Sequence, residues 1–93
     1  MIRNFRDRET ESVWNGQRSR RLPGDIQAIA LRKMRALDAA DALDDLRIPP
    51  GNRLEALAGD RRGQHSIRIN QQWRICFRWD KGHCDDVEIC DYH

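Results

Sequence analysis

From Trp73 to Trp79 a large apolar side chain occupies every second position, Trp73, Ile75, Phe77 and Trp79, with Arg74, Cys76 and Arg78 between them. A period of two sends alternate side chains to opposite faces of an extended chain, so this stretch specifies a β-strand with one apolar and one basic face. Just upstream, Ile67 and Ile69 keep one phase while Ser66, Arg68 and Asn70 keep the other, and Gln71-Gln72 makes a tight connection between the two runs. Lys81-Gly82 supplies the next turn, after which Val87 and Ile89 extend the apolar face in a last strand ending at Asp91-Tyr92-His93. An apolar sheet face has to be covered, and the cover must come from elsewhere in the chain.

The amino-terminal half provides it. Ile26, Ile29, Ala30, Met34 and Leu37 recur at helical spacing behind Pro23-Gly24-Asp25, with Asp25 placed to cap the helix. An earlier helix opens at Asp7-Arg8-Glu9-Thr10-Glu11, with acids in its first turn, and ends near Gly16; a short first strand is expected around Ile2 and Phe5. An acidic turn from Asp41 to Leu46 leads to Pro49-Pro50-Gly51-Asn52, which breaks any helix and reads as a loop. Leu54, Ala56 and Ala58 then alternate with Glu55 and Leu57 before a turn at Gly59-Asp60-Arg61-Arg62-Gly63. The expectation is an α+β fold of order β-α-α-β-β-β-β, two amino-terminal helices packed on a mostly antiparallel sheet. At 93 residues this makes one domain spanning 1–93.

Charge narrows the function classes. Charged residues make up 34% of the chain, and fifteen of its seventeen cations are arginine. Guanidinium presents a planar fork of donors that fits phosphate oxygens and stacks on bases, which favours a nucleic-acid partner over a merely solubilising surface. The early cluster Arg3, Arg6, Arg8, Arg18, Arg20 and Arg21 also suits an ordinary solvated face, but between Arg61 and Trp79 five arginines and His65 occur with no Asp or Glu. The apolar runs are far too short to span a bilayer, and Met1-Ile2-Arg3-Asn4-Phe5-Arg6 has no secretory character, so a cytoplasmic protein without membrane association is expected. Cys76, Cys84 and Cys90 are odd in number and lack Cys-x-x-Cys spacing, as suits reduced thiols. With His65, His83 and His93 they offer only poor zinc spacing, so no metal and no other cofactor is expected.

On the basic face, Arg68, Arg74 and Arg78 sit on neighbouring strands, where a rigid sheet can direct them at one phosphate backbone. Metal-free RNA cleavage needs a base for the 2′-hydroxyl proton, an acid for the departing 5′-oxygen and a cation for the transition-state charge. His93 beside Tyr92 and Asp91 suits the proton transfers, Arg74 the cation and Arg68 a substrate phosphate. A blander reading has Tyr92 closing the core and His93 as a solvated tail. Trp73 and Trp79 alternate in phase with Ile75 and Phe77 and are expected in the core, whereas Trp14 suits either the core or a partner contact.

Gly51-Asn52-Arg53-Leu54-Glu55-Ala56-Leu57, Gly59-Asp60-Arg61, Ser66-Ile67-Arg68-Ile69-Asn70, Gln72-Trp73-Arg74-Ile75 and Val87-Glu88-Ile89-Cys90-Asp91-Tyr92-His93 together resemble HigB-type toxins. These form the killer-protein branch of the RelE/ParE superfamily in type II toxin–antitoxin systems. The resemblance implies a RelE/ParE-like fold and a ribosome-dependent mRNA endonuclease, with the 70S ribosome and mRNA as targets. It also implies a HigA-like helix-turn-helix antitoxin, through whose complex promoter DNA is bound. Carried over residue by residue, it nominates Arg74, Asp91, Tyr92 and His93 as catalytic and Arg61 and Arg68 as RNA contacts; Arg62 and Arg78, from the same acid-free basic run, complete the expected RNA-binding set. Other members place a histidine and a lysine where this chain has Glu55 and Ala58, so more of the chemistry falls to the carboxy terminus. Glu55 reads as a salt-bridge partner of an arginine such as Arg53 or Arg74, or else as a base. Two other functions suit the same fold: a ParE-like inhibitor of DNA gyrase, or a nucleic-acid-binding module without catalysis.

Overall fold

A computed structural model describes residues 1–91; Tyr92 and His93 lie outside the described residues. Helix α1 (Arg8–Trp14) starts where the Asp7 carboxylate accepts a hydrogen bond from the Thr10 amide at 2.7 Å, with Glu9 and Glu11 near the positive end of the helix. Gly16, at φ +79°, then lets the chain turn away. Helix α2 (Gly24–Ala39) begins two residues earlier than a cap at Asp25 would allow. Pro23 holds the cap position, its carbonyl accepts from the Ile26 amide at 3.3 Å, and no side chain bonds there. Its ring fixes φ near the helical value, which leaves Asp25 in the first turn rather than ahead of it. The expected stripe is the buried one: Ile26, Ala30, Met34 and Leu37 are enclosed, with Ile29 partly so.

Past α2, single 3-10 turns at Leu43–Arg47 and Pro50–Asn52 carry the chain to the sheet. Asn52 is fully buried here; it donates to the Leu46 carbonyl at 3.1 Å and accepts from Lys33 of α2, which locks this loop to the helix. The strands β1 (Glu55–Ala56), β2 (His65–Arg68), β3 (Trp73–Asp80) and β4 (His83–Asp91) form one antiparallel sheet in that order. At the β3–β4 turn Lys81 and Gly82 both have positive φ, 47° and 88°, the combination that matches a tight hairpin to strand twist.

The α+β class and the two helices on an antiparallel sheet are as expected, but the first strand is reduced. Ile2 and Phe5 make two isolated parallel bridges, to Cys84 and Val87, along the free edge of β4. Between those bridges β4 carries a bulge, with Asp86 at φ 53° and the β3–β4 register shifting between Cys76 and Arg78. The Asn4 side chain fills the gap by accepting from the Asp86 amide at 2.7 Å, so a continuous ladder cannot form there. Strand β1 is also shorter than the alternation from Leu54 to Ala58 suggests, because the chain coils into a 3-10 turn at Gly59–Arg61.

Val13, the α2 stripe, Ile67, Ile75, Phe77, Val87 and Ile89 make one core, with Trp14, Trp73 and Trp79 partly buried against it. Trp14 packs 6.0 Å from Phe5, ring to ring, so at least part of its surface is committed inward. Thr10 of α1 is buried, and its hydroxyl accepts from the Ile89 amide at 2.9 Å, tying the helix layer to β4.

Candidate nucleic-acid interface

Directly opposite residues in a sheet share a face, so the register sorts the outer side chains into rows. One row runs Glu55, Ser66, Cys76, Glu88 across all four strands, and the next runs Arg68, Arg74, Cys90. Arg78, opposite Asp85, lies in a third. The β1–β2 connection folds over this face rather than away from it. It sets Leu57 on Cys76 and Cys90 and brings Arg61 to Glu88.

Arg74 is at the centre and is held from two sides. Its Nη1 donates to the Ser66 hydroxyl at 2.6 Å and lies 3.3 Å from the Glu55 carboxylate, and only 14% of the side chain is exposed. Glu55 therefore takes the salt-bridge role toward Arg74 considered for it from sequence. Arg61 donates to Glu88 at 3.0 Å and to Gln64 at 3.1 Å; the Glu88 bond holds its guanidinium even more firmly protonated than usual. Arg68 donates through Nε to the Asn70 carbonyl at 3.0 Å. Arg78 lies 3.5 Å from Asp86 and rests against Gly63, whose φ is +90° and whose missing Cβ would meet Arg78 Nη1 at 2.8 Å. Arg62 is exposed.

The acid-free run from Arg61 to Trp79 does not make an acid-free surface. Neighbouring strands bring Glu55, Glu88 and Asp86 among the arginines, because an antiparallel sheet mixes residues far apart in the chain. Among the described residues Arg62 and Arg68 take part in no ion pair, unlike Arg61, Arg74 and Arg78. His65, part of the same run, is on the helix side, stacked on Phe77 at 6.2 Å.

Asp91 is the register partner of Trp73, one position out of phase with Arg74, and the Gln72 side chain donates to it through Nε2 at 3.0 Å. It thus sits at the same end of the sheet as Arg74 but is rooted on the other face. Tyr92 and His93, expected beside it, lie outside the described residues. Of the cysteines, Cys76 and Cys90 meet on the outer face with their sulfurs 2.6 Å apart, while Cys84 is in the core on the opposite side, where burial pushes its thiol up to about 11. The three do not form one ligand set.

Ser66 and Glu88 were not singled out by sequence reasoning. Ser66 has a usable signal, since it alternates in phase with Arg68, but its position opposite Cys76 and next to the Arg74 row depends on the register. Chemically, the face offers an immobilised, largely sequestered guanidinium flanked by further guanidiniums, an arrangement suited to a phosphate that gains charge during reaction.

Known proteins share both the sequence and the fold of this chain. The chain is 45% identical over 83 residues to Toxin HigB-1 of Vibrio cholerae, covering 88% of this chain and 87% of that one. In fold it resembles the solved YoeB–YefM complex from Staphylococcus aureus, with a TM-score of 0.63 at 19% identity over 100% of this chain and 95% of the other. A heterotetrameric YoeB–YefM toxin–antitoxin complex from the same organism matches with a TM-score of 0.58 at 21% identity, over the same shares of the two chains. The family model for the RelE-like toxin of the type II toxin–antitoxin system HigB matches residues 3–93, and the chain belongs to that HigB-like toxin family.

Proposed function

We propose that this toxin is a metal-independent endoribonuclease that cuts mRNA on the 70S ribosome and thereby stops translation. The observation that carries the reading is Arg74, pinned by Ser66 and Glu55 in the middle of an outer face edged by Arg61, Arg62, Arg68 and Arg78. Those four arginines hold the RNA backbone, and Arg74 meets the phosphate at the cut. The 2′-oxygen forms a bond to phosphorus and the bond to the 5′-oxygen breaks. The 2′-hydroxyl proton goes to a base, an acid protonates the departing 5′-oxygen, and a 2′,3′-cyclic phosphate remains. Arg74 stabilises the negative charge that accumulates on the non-bridging oxygens. Tyr92 and His93 are assigned the proton transfers from the family pattern, with Asp91 orienting them from the end of β4. No cofactor enters this scheme.

Partners follow from the same reading. Both similar solved structures are toxin–antitoxin complexes, which supports an antitoxin for this chain, and the family supports a HigA-like helix-turn-helix protein through whose complex promoter DNA is reached. No helix among the described residues is long and apolar enough to cross a membrane. The proposed ribosomal target makes the cytoplasm the site of action.

The test is a defined mRNA in a purified translation reaction, with cuts mapped by primer extension and product ends identified chemically. Codon-spaced cuts that need ribosomes and leave 2′,3′-cyclic phosphates are expected. Cuts leaving 3′-hydroxyls would overturn the metal-independent scheme, and cuts on naked RNA the ribosome dependence. Intact mRNA together with blocked supercoiling would assign the protein to gyrase instead.

A further inference from the structure

Cys76 and Cys90 occupy diagonal positions on β3 and β4, since Cys76 faces Glu88 and Cys90 faces Arg74 across the ladder. Diagonal neighbours ordinarily sit at about 7–8 Å between Cα atoms, rather far for two short side chains. Here both side chains lean toward each other, bringing their sulfurs to 2.6 Å, within roughly 0.6 Å of a covalent S–S separation of about 2.05 Å. Leu57 lies over the pair, and the Arg61–Glu88 ion pair stands beside it. Cys76 is fully enclosed and Cys90 is 7% exposed, so the pair lies just beneath the outer surface. Nothing in the proposed cleavage chemistry uses either thiol.

We propose that Cys76 and Cys90 form a dithiol oxidation site, which hydrogen peroxide or a similar small peroxide converts to an intramolecular disulfide between β3 and β4. One thiolate sulfur attacks a peroxide oxygen, the O–O bond breaks and hydroxide leaves; the sulfur is now a sulfenic acid. The second sulfur attacks it, the S–S bond forms, the S–O bond breaks and a second hydroxide leaves. The two thiol protons convert the two hydroxides to water, so two thiols are oxidised by two electrons and one peroxide is reduced. The hydrogen bond from the Cys90 thiol, aided by the nearby Arg61 and Arg74 charges, pulls Cys76 below the ordinary thiol range, while the same bond keeps the proton on Cys90. Cys84 stands apart, in the core on the other face with its thiol donating toward the Leu37 carbonyl, and is excluded from the bond.

The bond staples the strand that carries Arg74 to the strand that leads to the carboxy terminus. Its consequence is a chain that opens less often, and therefore resists heat and proteolysis better when oxidised. The site is independent of the proposed RNA cleavage and stands or falls separately from it.

The experiment treats the purified full-length toxin with hydrogen peroxide, blocks remaining thiols after unfolding, and maps the cross-linked peptides by mass spectrometry. The expected result is loss of two hydrogens, a single Cys76–Cys90 cross-link, a blocked Cys84, and a thermal midpoint raised by about 5–10 °C that returns on reduction. Cys84→Ser should behave as wild type, and Cys76→Ser and Cys90→Ser, checked for folding by circular dichroism, should lose the cross-link and the shift. Free Cys76 and Cys90 after peroxide, a bond involving Cys84, bonds between molecules, or an unchanged midpoint in the cross-linked protein would each overturn the proposal.

Discussion

Arg74 was visible in the alternation of β3 as a cation on the face opposite the core, but the two groups that hold it were not. Ser66 and Glu55 come from β2 and β1, and their approach depends on a register that local patterning does not specify. A charged hydrogen bond is worth about 1.5–3 kcal/mol, so removing the Ser66 hydroxyl should release the guanidinium from its working position. Ser66→Ala is expected to lower kcat for ribosome-dependent cleavage by about tenfold with KM nearly unchanged, and Ser66→Thr to retain most of the activity; steady-state kinetics on a defined mRNA checks this. Met34 shows the opposite case, a residue legible from spacing alone: it sits in the α2 stripe and is fully buried. Met34→Ala should cost about 2–5 kcal/mol of stability by urea denaturation.

Among the elements, α2 and the β3–β4 hairpin follow closely from sequence because each is long, strongly periodic and locally closed. The first strand and β1 do not. Ile2 and Phe5 carry a strand-like pattern, yet the Asp86 bulge in a strand some eighty residues away breaks their ladder, an interaction the local residues cannot encode. Helix α1 is only seven residues long, and its place is set by Thr10, whose buried hydroxyl accepts from the Ile89 amide. Thr10→Val keeps the shape and removes the acceptor, leaving that amide unsatisfied. A loss of about 1–3 kcal/mol is expected, with faster hydrogen exchange at the Ile89 amide; a neutral substitution would show that the contact does not hold α1 to β4.

At the scale of the molecule, the amino-terminal segment is clamped to the β3–β4 hairpin by Arg3, which bonds both Asp80 and Asp85. The Arg3 hydrogen bond holds the Asp85 carboxyl below its ordinary value of 3.8. Because the folded carboxyl is the more acidic, its contribution is present above that value and disappears as the pH falls through the lower folded one. Urea midpoints should thus decline on the acid side of about pH 4, and Asp85→Asn should remove part of that decline while leaving the alkaline limb unchanged. The overall architecture, two helices over one side of an antiparallel sheet, was legible because an apolar face and an amphipathic helix have few ways to cover each other. The charge pattern of the outer face was not, since it mixes residues from Glu55 to Glu88 and is more balanced than the run of arginines suggests. The claim that this face cleaves RNA through an immobilised Arg74 is tested most directly by single-turnover cleavage of ribosome-bound mRNA with wild type and Arg74→Ala. The predicted result is a fall of about 10²–10³-fold in the cleavage rate with folding and antitoxin binding intact. Cleavage at the same codons within about twofold of the wild-type rate, well below one hydrogen bond's worth, would contradict it.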